Sequence, residues 1–202
     1  CHAAATRPGD KNATAARGAF VPGPGGRCMA IRSFDGTEPT VHEDAYVHPA
    51  AEVIGDVTLE ADASVWPNTT LRGDHGGIVL REGANVQDNA VLHEGAEIGP
   101  YATVGHSAIV HNAATEARSL VGMQAVVLDD STVGTEAMVG ACALVTEGTT
   151  IPANTLAVGQ PAEVKREVEE SPWAYAGDAY TRYADEHRET SELLARGHPP
   201  EG

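Results

Sequence analysis

The chain has 202 residues, 4% aromatics and a formal charge of −16. That length suits one domain, and with so few rings its interior has to be built from Val, Ile, Leu and Ala. From Met29 onward nine basic residues are set against 28 acidic ones, 9 − 28 = −19, a surface that excludes nucleic acid and anionic membranes as partners.

The same charge suits high salt, where a screening length of about 3 Å at 1 M removes self-repulsion; a halophilic protein is expected. No run of 18 apolar residues is present to span a membrane, and no signal-peptide core stands at the N-terminus. Cys1, Cys28 and Cys142 form neither a CxxC motif nor a disulfide framework. A reducing cytoplasm is the expected compartment.

Residues 1–28 are rich in Ala, Gly, Pro and Arg, carry a charge of +3 and show no periodicity. They read as a disordered extension, which makes His2 irrelevant to chemistry. Residues 29–160 read as one repeat domain. Branched apolar residues recur every six positions at Val53, Leu59, Val65 and Leu71. The series resumes at Leu80, Val86, Leu92, Ile98, Val104 and Val110, and again from Thr115 through Val121, Val127, Val133, Val139 and Val145 to Ile151. A small residue follows most of these by four positions, as at Ala63, Ala84, Ala90, Ala96 and Ala114. Neither a helix nor a coiled coil has this period. It predicts a mainly β fold, a parallel β-helix of triangular coils, three six-residue units to a coil.

Two breaks interrupt the ladder. Leu71 to Leu80 is three residues too long, predicting a loop excursion. Val110 to Thr115 is one residue too short, predicting a pinch just after His111. Past residue 160 the pattern changes. Val164 and Val168 suggest a first helical piece after Pro161. Ser171-Pro172 suggests the start of a second, with a stripe of Trp173, Ala176, Tyr180, Tyr183 and Ala184 running to about Leu194. Residues 161–195 are therefore expected as a helical segment packed on the β-helix, and 196–202 as a frayed tail.

His93 follows the inward Leu92, and His111 follows the inward Val110. They stand one 18-residue coil apart, so their backbones stack about 4.8 Å apart. Two imidazoles so placed can share one ion at Zn–N distances of about 2.0–2.1 Å. His106 lies two positions after Val104, on another side of the coil. It reaches such an ion only from a neighbouring copy, which points to a homotrimer with sites between subunits. Three histidines leave zinc an open position for water, and the metal lowers that water's pKa to about 7.

The segments VWPNTTLRGD (65–74), NVQDNAVLH (85–93), VGHSAIVH (104–111) and VGMQAVVLD (121–129) resemble the gamma-class carbonic anhydrases over about residues 30–195, as a short-loop homologue of haloarchaeal type. The resemblance implies a left-handed β-helix followed by a C-terminal helix. It also implies Zn²⁺ (Fe²⁺ or Co²⁺ as alternatives) on His93, His106 and His111, and reversible hydration of CO₂ to bicarbonate. It gives Arg72 and Asp74 as an interface pair, structural or catalytic, and Gln87 as the residue orienting metal-bound water. Asp88 and Asn85 belong to the same polar network. Tyr180 approaches the site, with Tyr183 as the alternative. His75 stands where the archetype has a shuttle glutamate, and a proton shuttle needs a pKa near 7. Only twelve residues separate His93 from His106, so the archetype's long acidic loop is missing; Glu94 is the nearby acid. Two other functions fit the repeat. One is a hexapeptide acyltransferase using a histidine as general base on a CoA thioester. The other is a non-catalytic metal-binding or assembly subunit.

Overall fold

The computed structural model describes residues 30–169, 171 and 173–192. The expectations for 1–28, Pro172, Leu194 and 196–202 lie outside these residues. The six-residue ladder winds into a left-handed parallel β-helix of about seven turns, followed by one helix. One face runs from Tyr46–Val47 through Ser64–Val65, Asn85–Val86, Thr103–Val104, Leu120–Val121 and Met138–Val139 to Thr155–Val158. Two long strands, Glu52–Leu59 and Thr70–Leu80, bend round a corner and so belong to both other faces. The second face continues through Val91–His93, Ile109–His111, Val126–Val127 and Leu144–Val145. The third continues through Glu97–Ile98, Ala114–Thr115, Thr132–Val133 and Thr150–Ile151.

The inward residues of the ladder form one continuous core; Val53, Val65, Leu71, Leu80, Leu92, Val104 and Val110 are all at 0% exposure. Each such side chain contributes about 1.5–3 kcal/mol on burial. The corners explain the small residues. Three positions after an inward residue the backbone turns left-handed, even without glycine, at Asn68, Asn89, Ser107, Gln124 and Cys142. That costs about 1–2 kcal/mol per residue. Bonds between coils offset it, such as the Asn89 N–H to the Pro67 carbonyl at 3.0 Å. The next residue points into the narrow corner, where Ala63, Ala84, Ala90 and Ala108 are fully buried.

Both breaks in the ladder take the form the spacing predicts. Gly55 pairs with Gly73 but Val57 pairs with Ile78, so the three extra residues bulge between Gly73 and Ile78. Gly73 is needed there, because a Cβ would run into the carbonyl of Asp56. At the short step Ala113, rather than Ala114, drops into the corner at 4% exposure.

The C-terminal segment departs from expectation. The first helical piece is instead a strand, Glu163–Glu167, antiparallel to Thr155–Val158. The last coil offers an open strand edge, and 163–167 pairs with it; the four-residue spacing of Val164 and Val168 imitates a helix. The helix itself is Ala176–Thr190. It packs over the first face through Gly177, Tyr180, Ala184 and His187, with Trp66 between the rings of Tyr180 (5.3 Å) and His187 (5.0 Å). Trp173 and Tyr183 of the expected stripe are exposed. Arg118 anchors its start, reaching Asp178 at 2.6 Å and the carbonyl of Ala174 at 2.9 Å while lying over the rings of Tyr101 and Tyr175. Among the described residues no helix is long and apolar enough to cross a membrane, and Cys142 is an exposed free thiol.

Candidate functional site

The parallel register sets Arg72, His93 and His111 side by side on the outside of the second face. Each follows an inward residue by one position, so a repeat that buries Leu71, Leu92 and Val110 must present these three. The extra residues after Gly73 place Asp74 beside them. Arg72 Nη1 donates to Asp74 Oδ2 at 2.5 Å, and His93 Nε2 lies 3.1 Å from Asp74 Oδ1. One coil beyond His111 stands Asp129, with His111 Nδ1 at 3.1 and 3.3 Å from its two oxygens.

These carboxylates assign the tautomers. His93 gives its Nε2 proton to Asp74 and His111 its Nδ1 proton to Asp129, the usual carboxylate support of a working histidine. The two remaining nitrogens, His93 Nδ1 and His111 Nε2, then face each other 3.1 Å apart, both as acceptors. Arg72 Nη2, 3.3 Å from His93 Nδ1, supplies a donor to only one of them. A proton or a cation between the nitrogens relieves their opposition. A tetrahedral zinc holds two imidazole nitrogens about 3.3 Å apart, so the residues fit a divalent ion. Donor atoms of His93, Glu94 and His111 all lie within 4.8 Å of one another. Burial pushes the Asp74 carboxyl up, but hydrogen bonds from Arg72 and His93 outweigh it and hold the pKa below its ordinary value. Asp129 is likewise raised by burial and held lower by His111, its own backbone and Asn112.

The other expected residues gather at a different corner, between the first and second faces. His106 Nδ1 is 2.9 Å from Asp88 Oδ2. Gln87 is buried, its amide donating to Asn85 Oδ1 at 3.3 Å, while Asn85 donates to Thr103 Oγ1 at 2.9 Å. Tyr180 is half-buried on Trp66. Burial first, then the charges of Asp88 and Tyr183, push its hydroxyl pKa up. Of the two tyrosines it is therefore Tyr180 that comes near Asp88. His75 is exposed on the bulge, edge-on to Phe34 at 6.3 Å.

One chain thus brings together Arg72, Asp74, His93 and His111, and puts Gln87, Asp88, His106 and Tyr180 elsewhere. Asp129 is the residue that sequence reasoning missed; the short step makes this coil 17 residues, so Val127 answers Val110 and Asp129 stands one place beyond the position that answers His111. An open hollow lined by Pro152, Asn154, Thr155, Glu167 and Glu169 at the last coil shares no residue with either cluster.

No family model matches the chain. The carnitine operon protein CaiE of Proteus sp. (strain LE138) is 46% identical over 65 residues, 32% of this chain and 33% of that protein. CaiE of Citrobacter koseri matches to the same extent. The match therefore spans about a third of these relatives' length. A hexapeptide transferase family protein from Anaplasma phagocytophilum superimposes with a TM-score of 0.76 and 32% identity, over 79% of this chain and 98% of its own. A putative acetyltransferase from Bacillus cereus gives 0.70 and 31%, over 78% and 94%.

These relatives overturn the expectation of a carbonic anhydrase: they are named as a hexapeptide transferase family protein, a putative acetyltransferase and a carnitine operon protein. The structure offers a physical reason for the misreading. Apart from an early turn at Glu94, the residues between His93 and His106 continue the solenoid, with strands Glu97–Ile98 and Thr103–Val104, so nothing replaces the acidic loop, and the histidine spacing follows from the coil length itself. With a fold shared over 79% of its length and 32% identity over that span to the Anaplasma protein, the chain belongs to the hexapeptide transferase family.

Proposed function

We propose that the protein transfers an acyl group from a CoA-type thioester, with His111 as general base. The observation that carries this reading is the Asp129–His111 pair. Asp129 fixes the Nδ1 proton and leaves Nε2 free to take a proton from an attacking hydroxyl or amine. The nucleophile bonds to the thioester carbonyl carbon, the C–S bond breaks, and the proton on Nε2 is returned to the departing thiolate. Membership of a transferase family and the 31% identical putative acetyltransferase support the same class. His106 and Tyr180 lie on the corner that a second copy would bring to this edge, so a homotrimer is part of the proposal.

The test is release of free thiol from acetyl-CoA in the presence of amine and hydroxyl acceptors. His111→Ala should lower the rate at least 100-fold. Equal rates for the two proteins, or no turnover and no binding of acetyl-CoA by either, overturn the reading.

The opposed nitrogens of His93 and His111 favour a second reading, that this centre holds a divalent cation, zinc or else iron or cobalt. Such an ion, when bound, supplies a Lewis acid for a carbonyl oxygen. His93 and His111 would ligate it, Asp74 and Asp129 would orient them, and the partner subunit's His106 would join from outside. Metal analysis of the purified protein beside His93→Ala tests it; equal content in both overturns it.

A further inference from the structure

The geometry points to Glu94 as the third donor of a two-histidine, one-carboxylate cation centre carried by a single chain. The inference rests on the cation reading of the His93–His111 centre and deepens it. Glu94 Oε1 lies 3.9 Å from His111 Nε2, the nitrogen that faces His93 Nδ1 at 3.1 Å. The three donor atoms fall within 4.8 Å of one another. A cation held by three ligands at about 2.0–2.2 Å needs donors about 3.3 Å apart, so the histidine nitrogens need almost no movement. The carboxylate, 3.9 Å from His111 Nε2 and within 4.8 Å of the His93 donor, has to close in on both, a movement its own side-chain torsions supply. Arg72 Nη2 would give up its contact with His93 Nδ1 and keep its bond to Asp74.

The backbone supplies an independent observation. At the regular corners the left-handed residue stands three positions after the inward one, as at Asn89 after Val86 and Ser107 after Val104. After Leu92 and Val110 it stands only two positions on, at Glu94 (φ 55°) and Asn112 (φ 44°), directly behind each histidine. The chain therefore reverses one residue early in these two coils alone of the second-face series from Leu92 to Val127, where Asp130 has returned to the regular place. Glu94, turned in this way, has its carboxylate on the histidine edge, 3.9 Å from His111 Nε2. The following Gly95 leaves room there: a Cβ on it would meet Asn112 Oδ1 at 2.8 Å. The result is a carboxylate beside the imidazoles without help from another subunit. The hard oxygen alongside two imidazoles suits zinc, iron(II) or cobalt(II). His106 of a neighbouring copy is then an added or competing ligand rather than a required one.

The experiment is a calorimetric titration of Zn²⁺, with a parallel Co²⁺ visible spectrum, into the chelator-stripped full chain. Wild type, Glu94→Gln, His106→Ala and His111→Ala are compared at equal concentration. The expected result is one ion per chain, lost in His111→Ala and at least tenfold weaker in Glu94→Gln with a changed Co²⁺ spectrum. His106→Ala should retain binding within about threefold. If Glu94→Gln matches wild type while His111→Ala abolishes binding, the role of Glu94 is overturned and the cation reading stands. If His106→Ala abolishes binding and Glu94→Gln does not, the third ligand belongs to the neighbouring copy. If wild type binds neither ion, both readings fall together.

Discussion

Leu92→Ala tests the link between core and site directly. Leu92 is fully buried and stacked between Leu71 and Val110 in adjacent coils, and it fixes the position of His93 next to it. The change removes three carbon groups, about 2.4 kcal/mol at ~0.8 kcal/mol each. The coils above and below are held at strand spacing by parallel ladders, so they cannot close on the void. The total should therefore reach about 3–4 kcal/mol, within the range for buried leucines. Urea unfolding followed by circular dichroism measures it, as a lower midpoint at unchanged slope. His93 should lose its fixed position at the same time, lowering thiol release from acetyl-CoA. A loss under about 1 kcal/mol would refute the reasoning, because it would mean that the coil interior relaxes instead of holding its neighbours at fixed height.

Three further outcomes are expected. Asp129→Asn keeps the shape beside His111 but not the charge; thiol-release rate or zinc affinity should fall 10–100-fold, and a change under twofold would show that Asp129 does not orient the histidine. Asp74 and Asp129 have lowered carboxyl pKa values in the folded chain, so they contribute stability above about pH 4 that is lost as the pH falls through the folded values; the acid limb of a stability–pH curve should flatten in the double Asp74→Asn, Asp129→Asn variant. Arg118→Ala removes the anchor of the C-terminal helix, whose own buried residues are only Gly177 and Ala184; because the ion pair is partly exposed the cost should be about 1 kcal/mol, seen as faster amide exchange across 176–190 with the β-helix amides unchanged.

The solenoid was legible because its signal is repeated. Every coil buries a branched residue and turns on a small one, so an error at one position is corrected by the next. The histidine pair was legible for the same reason, since 18 residues is one coil. Glu163–Glu167 was not, because one strand outside the repeat has no second copy to check it, and Val164 and Val168 have helical spacing. Asp129 lies two positions after Val127 and looks like an ordinary surface acid until the coil is closed. The reaction was the least legible part. His93, His106 and His111 occupy positions that the scaffold presents whatever the chemistry, and the residues that choose between reactions stand outside those positions, where no repeat marks them.

The two breaks in the repeat bracket the histidine pair, and each contributes something a regular coil does not. A regular six-residue unit after Leu71 would reach the third face with no room for a carboxylate beside His93. The three extra residues leave Asp74 at the edge, bonded to Arg72 and His93. The residue missing after Val110 draws the turn in at Asn112 and puts Ala113 in the corner, and Asn112 in turn hydrogen-bonds Asp129, the carboxylate that holds His111. One irregularity thus fixes the proton of the first histidine and the other steadies the partner of the second. In a fold whose stability comes from regularity, departures of three residues and of one residue, in the coils on either side of His93 and at the same edge, are most simply read as the cost of placing those two carboxylates there.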